Sequence, residues 1–511
     1  MYIRYGRRKG RAVIVVLLGI TALTIYSVGF KNGVSSYERN ATKEDESLED
    51  TFEPEELITV VGAEACKPSP HNNDAAEFDM FDLYREQVAK NGVNHPKNSH
   101  PRHPSIDKLK VFVLPFTHVD PGWLQTFDSY SKETDAILDN MHNFMTTNPN
   151  MTFMWAELAF FERWWIKQSA VVRENVRRLV LSGRLELASG SWVMTDEANV
   201  YFPITVDNIV EGHQFLKQEF GTISPSVVWS NDPFGYSNSI QYIFTQAGIK
   251  RAVINRVHHD IKRYLQSMRA IPFRWRQYFD TTGESDMLTH LLPYTHYDIL
   301  NSCGPNPSVC CEFDFKRITH WSCPGPKPVA INPSNVETKA RKLVSQLQEM
   351  AQMYESNVLL MVHGDDFRYN MLDEWHQQHD NFLPIFEEIN KSGLAEIRFG
   401  TFSDYFNELE KWYKDNGKQP VTLSGDFFPY KCALGDLWSG YFTTRPFVKR
   451  QERSLHNIIR AADLISAQAR HKMDEDSEKN ISRKLQDARR TLSLLQHHDA
   501  ITVSCLKWRY N

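Results

Sequence analysis

Apolar and polar positions alternate in two rhythms along most of the chain. Short, mainly apolar runs fall at residues 111–116, 152–157, 184–188, 227–230, 252–255, 358–362 and 396–399. Unbroken apolar runs of this length are what strands covered on both faces look like. Between them lie stretches with helical spacing, at 171–182, 204–219, 336–354 and 402–414. The alternation predicts an α/β domain over residues 107–430, a (β/α) barrel-like parallel sheet with crossover helices. Beyond Phe427 the pattern predicts no further strands. Residues 446–470 and 477–496 read as long helices, a partial helical bundle domain over 431–502, with a tail at 503–511.

The amino-terminal region follows other rules. Arg4, Arg7, Arg8, Lys9 and Arg11 precede an uncharged stretch, 12–30, long enough to cross a hydrocarbon core. That order predicts a type II signal anchor, with residues 1–11 cytoplasmic and everything after the transmembrane helix lumenal. A cleaved signal peptide is the alternative. Residues 31–106 are polar, with an acidic run at 44–50, and read as a stem; a short helix is expected around 79–93. Four Asn-x-Ser/Thr sequons, at Asn40, Asn150, Asn390 and Asn480, all lie on the side predicted to be lumenal.

The 511 residues are 41% hydrophobic with a net charge of -5, which fits a globular protein and gives no support to nucleic-acid binding. Cys303, Cys310, Cys311 and Cys323 cluster in one loop. Neighbouring cysteines rarely bridge each other, so Cys303–Cys310 and Cys311–Cys323 are the expected pairs. A zinc site is the rival reading, and the oxidising compartment favours disulfides. Cys66, Cys432 and Cys505 are left over.

Chemistry collects at the ends of elements. The run 111–116 leads into Thr-His118-Val-Asp120-Pro-Gly-Trp123, and residues two apart on a strand share a face, so imidazole and carboxylate project together. Asp232 follows a strand in Ser-Asn-Asp-Pro-Phe-Gly-Tyr236. Asp365 and Asp366 follow another in His-Gly-Asp-Asp-Phe-Arg368. His497, His498 and Asp499 end a helix. Each alone has a plain structural role, as a helix cap or a partner for the helix dipole. Together they argue for one cleft at the carboxyl ends of the strands. Two carboxylates facing one bond are the equipment of glycoside hydrolysis, and histidines with aspartates point to Zn²⁺.

The motifs His-x-Asp-Pro-Gly-Trp, Asp-Pro-Phe-Gly-Tyr-Ser, Cys-Gly-Pro-x-Pro…Cys-Cys-x-Phe-Asp-Phe-Lys-Arg, Gly-Asp-Asp-Phe-Arg-Tyr, Trp-Ser-Gly-Tyr-Phe-Thr-x-Arg-Pro and His-His-Asp-Ala-Ile-Thr resemble the class II α-mannosidases, glycoside hydrolase family 38, and their Golgi members above all. The resemblance implies a zinc-dependent, retaining exo-α-mannosidase, anchored in the Golgi membrane, that trims α1,3- and α1,6-linked mannose from the N-glycans of glycoproteins. It implies that His118, Asp120, Asp232 and His498 hold Zn²⁺, that Asp232 is also the nucleophile, and that Asp366 is the acid/base. It places Trp123, Phe234, Arg256, Tyr297, Asp298, Asp365 and Asp499 against the substrate. Trp438 is a further aromatic face for a sugar. Burial beside the ionised Asp365 and Asp232 is expected to raise the pKa of Asp366. The oligomeric state is open, a homodimer included.

Two departures stand out. Val119 replaces the Asn or Asp that the family has between the two zinc ligands, and it should point to the other side of the strand. After Thr502 the family continues Gly-Thr into large β-rich domains, where this sequence has Val503-Ser-Cys. A catalytically silent, truncated, membrane-tethered fragment that binds glycans or partners is therefore the second reading. A zinc-dependent sugar deacetylase on a related barrel is a third, disfavoured by the carboxylate pair.

Overall fold

A computed structural model describes residues 76–88, 108–221, 224–319 and 322–502. The seven predicted strands are all present: β2 (Leu109–Pro115), β3 (Phe153–Trp155), β4 (Leu185–Leu187), β5 (Val228–Ser230), β6 (Arg251–Ile254), β9 (Val358–His363) and β10 (Ala395–Phe399). Four strands were not anticipated in the body of the domain: β1 (Phe78–Asp79), β7 (Pro272–Arg276), β8 (Met287–Leu291) and β11 (Val421–Ser424). The core lies on both faces of this sheet system. β2 and β9 are almost wholly buried along their length, as their unbroken apolar runs require.

Among the described residues the strands do not close into one continuous barrel. They form a six-stranded sheet in the order β1-β11-β7-β8-β6-β5, a three-stranded sheet β10-β2-β9, and the pair β3-β4. β3, β4 and β5 are three residues long, so ladders between these groups shrink to single links. Phe116, just past β2, bridges Met154, and Ser189 N–H donates to Val227 O at 2.8 Å. Pairing is parallel throughout these sheets except between β7 and β8, which form an antiparallel hairpin.

The expected helices appear at Ala170–Leu181, Phe202–Phe220, Val336–Ala351 and Phe402–Asp415, and two long helices that the sequence reading did not pick out run at Phe127–Thr147 and Leu372–Ser392. Strand structure also continues past Phe427, contrary to expectation. A short antiparallel pair, β12 (Tyr430–Lys431) with β13 (Leu437–Trp438), sits there because its aromatics pack beside the site described below. The helices Pro446–Ala469 and Glu475–Leu494 follow. The second is fixed to helix Phe202–Phe220 by Arg489 and Arg490, which bracket the buried Glu211 at 2.6 and 3.1 Å.

Of the helix expected around 79–93, one α-turn (Met80–Leu83, capped by Asp79) and a π-turn (Tyr84–Val88) lie within the described residues. The predicted membrane span at 12–30 lies outside them, and among the described residues no helix is long and apolar enough to cross a membrane. The disulfides are Cys303–Cys310 and Cys311–Cys323, as expected. Cys432 is a half-buried free thiol, while Cys66 and Cys505 lie outside the described residues.

Candidate metal and active site

Three chain segments meet at the carboxyl end of β2. Beyond Pro115 the chain stays extended, and Val119 enters the apolar core while His118 and Asp120 turn to the other side. The end of β9 runs alongside: His118 N–H donates to Asp365 O at 3.1 Å and Phe367 N–H to His118 O at 2.8 Å. So close an approach needs Gly364, where a Cβ would lie 2.0 Å from Phe116 O. That contact places Asp365 and Asp366 beside His118.

The loop after β5 brings Asp232. Tyr236, wholly buried, donates its hydroxyl to Ser230 O at 2.7 Å and accepts the N–H groups of Asn255 and Arg256 at 2.9 and 3.0 Å. One phenol thus pins the loop carrying Asp232 to the residue pair that includes Arg256. Gly235, at φ +99°, turns this loop where a Cβ would strike Phe427 O. His498 arrives after the last helix through an antiparallel bridge between Thr195 and His497. Its Nδ1 faces Met194 O at 3.2 Å, which directs Nε2 at Asp232.

The resulting cluster is buried and compact. The ligand atoms of His118, Asp120, Asp232 and His498 all lie within 4.8 Å of one another. His498 Nε2 is 3.1 Å from Asp232 Oδ2 and 3.4 Å from Asp120 Oδ1. His118 Nε2 and Asp120 Oδ1 are 2.8 Å apart, yet neither makes a well-directed hydrogen bond. Two buried polar atoms that close, each without a hydrogen-bond partner, are placed as ligands of one ion would be. Two imidazoles and two carboxylates suit a borderline divalent metal, so the residues fit one. A second group, Asp120, His497, His498 and Asp499, overlaps the first.

Electrostatics agree. Burial pulls the His118 imidazole down, but the carboxylates of Asp120, Asp232 and Asp366 outweigh it and push the group up to about 10. His498 is likewise raised, its carboxylate partners overcoming burial. The clustered carboxylates thus favour positive charge at this point. Burial raises Asp232 too, but Arg256 and the two histidines hold it well below the usual carboxylate range. Asp366 goes the other way. Burial, with the like charges of Asp120, Asp232 and Asp365, pushes it up to about 7 against the pull of His118. One carboxyl is pushed down and the other up, the split expected of a nucleophile and an acid.

Around this pair lies an aromatic rim. Arg256 Nε donates to Asp232 Oδ1 at 2.6 Å, and its guanidinium carbon lies 5.4–5.9 Å from the ring centres of Phe234, Tyr297, Tyr430 and Trp438. Tyr297 donates its hydroxyl to Asp366 Oδ1 at 2.7 Å, and Phe234 meets Trp438 edge-on at 4.8 Å. Not every expected substrate residue is at the centre. Asp298 spends one oxygen capping a turn, accepting from Asn301 N–H at 2.9 Å, and Asp365 accepts from Asp366 N–H. Trp123 is half-buried against the core in the turn after Asp120. Asp499 does lie close in: it pairs with His497, 3.6 Å away, and shares the second group with Asp120 and His498.

His497, grouped with His498 and Asp499 in the sequence, lies 3.5 Å from Asp120. Sequence reasoning gave no role to two residues here. Tyr430 reaches Arg256 Nη1 at 3.5 Å, which nothing in its local sequence signals. Glu157 ends a strand candidate, and burial pushes its carboxyl up to about 7.

Comparison with known proteins gives concordant results. The profile of the glycosyl hydrolases family 38 N-terminal domain matches residues 108–433, and that of the alpha mannosidase middle domain matches 436–511. The chain is 36% identical over 467 residues to alpha-mannosidase 2 of Homo sapiens, covering 87% of this chain and 40% of the relative. It is 40% identical over 401 residues to alpha-mannosidase 2 of Drosophila melanogaster, covering 77% and 36%. The chain thus spans about two fifths of the length of these curated relatives. An alpha-mannosidase structure from Enterococcus faecalis V583 aligns with a TM-score of 0.56 at 17% identity, over 77% of this chain and 39% of that one, which speaks for the fold.

Proposed function

The chain belongs to glycoside hydrolase family 38, and from that premise we propose that it carries the centre of a zinc-dependent, retaining exo-α-mannosidase. Its substrate in this reading is α1,3- and α1,6-linked mannose on N-glycans, met in the lumen of the Golgi by a type II membrane protein. Linkage and compartment are carried over from the resemblance of the sequence motifs to the family's Golgi members, and zinc from that resemblance and the donor set.

One observation carries the reading: two carboxylates stand at an ion-holding cluster, Asp232 fixed by Arg256 and Asp366 bridged to His118 and bonded by Tyr297, with their pKa values pushed in opposite directions. A retaining glycosidase needs that pair about 5–5.5 Å apart, one at the anomeric carbon and one at the leaving oxygen. Asp232 attacks the anomeric carbon and the glycosidic C–O bond breaks. Asp366 gives its proton to the departing oxygen, then takes one from the water that hydrolyses the mannosyl ester. Arg256 fixes the orientation of Asp232 and packs against Phe234 and Trp438 beside it. His118, Asp120, Asp232 and His498 would hold Zn²⁺, which, when bound, acts as a Lewis acid towards sugar hydroxyls.

The test is hydrolysis of an aryl α-mannoside by the metal-loaded chain, before and after chelation and after zinc is restored. Turnover that disappears and returns supports the reading. Stoichiometric zinc binding without turnover favours the silent glycan-binding fragment instead, since the chain covers 40% of its human relative.

A further inference from the structure

The turn that follows β9 has a backbone that its sequence does not favour. Phe367 and Tyr369 sit at φ +48° and +66°, two of five non-glycine residues at positive φ among the described residues. Such conformations persist only where the surroundings over-determine them, and they gather at functional sites. Arg368 lies between them and points inward, 7% exposed.

What holds Arg368 is a buried ionic cluster. Its Nη2 and Nη1 donate to the two oxygens of Asp314 at 2.6 and 3.1 Å, and its Nε to Glu374 Oε1 at 2.5 Å. The other oxygen of Glu374 accepts Tyr369 N–H at 2.8 Å and meets Lys316 Nζ at 2.8 Å. Asp314 also accepts from Arg317 Nε at 2.7 Å and Gln378 Nε2 at 3.0 Å. Asp314, Lys316 and Arg317 all lie inside the loop closed by Cys311–Cys323. The turn is therefore gripped from one side by a cross-linked loop. On its other side it meets the site, through Phe367 N–H on His118 O and Tyr297 on Asp366.

We propose that Arg368, clamped by Asp314 and Glu374, is a positioning residue for the proton-donating carboxyl of Asp366, with the Cys311–Cys323 loop as its fixed support. The inference rests on reading Asp366 as the acid. A bidentate guanidinium fixes direction as well as distance, which a lysine ammonium does not. Proton transfer to a leaving oxygen is sensitive to that direction, and a misplacement near 1 Å can cost about 100-fold. Neither Asp314 nor Glu374 is among the ion-holding residues; they act on the turn through Arg368 and, for Glu374, also through the Tyr369 N–H.

The experiment compares Arg368→Lys, Arg368→Met and Asp314→Asn in the zinc-loaded full chain. Three readouts are taken: kcat/KM on a mannobiose and on a dinitrophenyl mannoside, zinc affinity, and amide exchange at residues 365–369. Because the dinitrophenyl group leaves without protonation, the expected result is a loss of about 100-fold on mannobiose and less than about 3-fold on the aryl substrate. Zinc affinity stays unchanged and exchange at 365–369 accelerates. Arg368→Lys falls between wild type and Arg368→Met. A Cys311→Ser/Cys323→Ser chain shows the same split, more weakly; wild-type exchange at 365–369 in that chain would overturn the role of the loop. Equal losses on both substrates, or loss of zinc, would reduce the cluster to a stabilising one and overturn the proposal. If wild type turns over neither sugar, the mannosidase reading has failed, and the exchange measurement still decides whether Arg368 holds the turn.

Discussion

Tyr297 donates its hydroxyl to Asp366 at 2.7 Å, a hydrogen bond from β8's following loop to β9's. A donor to a carboxyl favours its ionised form, so the phenol restrains a group that burial and three neighbouring carboxylates push upward. Replacing Tyr297 with Phe should raise the pKa of Asp366 further and loosen its orientation. The expected result is a limb of the pH–rate profile displaced to higher pH with a lower plateau, measured on mannobiose. A limb at the wild-type position would show that the bond does not bear on the acid.

The pH dependence itself has a defined sign. An acid that must be protonated to act loses activity as pH rises through its pKa, and Asp366 is pushed up to about 7 without the ion. A bound dication adds positive charge nearby and draws that value down, so the alkaline limb of kcat/KM should fall below 7. Asp366→Asn should abolish the limb and spare dinitrophenyl mannoside far more than mannobiose. A limb unchanged in Asp366→Asn would assign it to another group.

Asp232 lies both in the ion-holding cluster and at the nucleophile's place. Asp232→Ala should therefore eliminate turnover on both substrates and lower zinc affinity by more than about 100-fold, the upper range for losing even an outer-shell partner. Zinc titration followed calorimetrically checks this. Wild-type affinity would remove Asp232 from the ligand set.

Much of this was legible beforehand, for identifiable reasons. β2 and β9 announced themselves because both faces are buried, and their ends carry His118, Asp120 and Asp366. β7 and β8 did not, because Arg274, Arg276, Thr289 and His290 interrupt the apolar pattern. Those polar groups find partners that the local pattern does not announce, Arg276 on Asp286 across the hairpin and His290 on the distant Tyr405 hydroxyl at 2.7 Å. Helix Leu372–Ser392 was hidden by its internal Pro384. Among the described residues the parallel sheets stay separate, the short β3–β4 pair meeting its neighbours by single links. Tyr430 and the Arg368 clamp depend on tertiary contacts that no local pattern carries.

Gly364 is a test of the packing that joins the two strand ends. A Cβ there would lie 2.0 Å from Phe116 O, so Gly364→Ala must part β2 from β9. The expected cost is about 1–3 kcal/mol in urea unfolding, as for other overpacked sites. Weaker zinc binding should accompany it, since His118 moves with β2. A variant as stable as wild type would mean that the strands part freely.

The sequons separate on structural grounds. Asn150 and Asn480 are exposed with open side chains, whereas Asn390 exchanges two hydrogen bonds with Ile397, both 2.9 Å. If the chain is lumenal, microsomal synthesis should glycosylate Asn150 and Asn480 and leave Asn390 largely unmodified. A chain carrying no glycan and open to external protease would contradict the type II orientation.

The central claim is that Asp232 attacks the sugar within a metal-holding site. It is tested most directly by trapping with a fluorine-deactivated mannosyl fluoride, which forms the ester with the nucleophile and hydrolyses slowly, followed by peptide mapping. The account predicts one mannosyl adduct per chain, on Asp232, formed by the zinc-loaded protein and absent after chelation. An adduct on Asp366, or one on Asp232 that forms equally well without the metal, would contradict it.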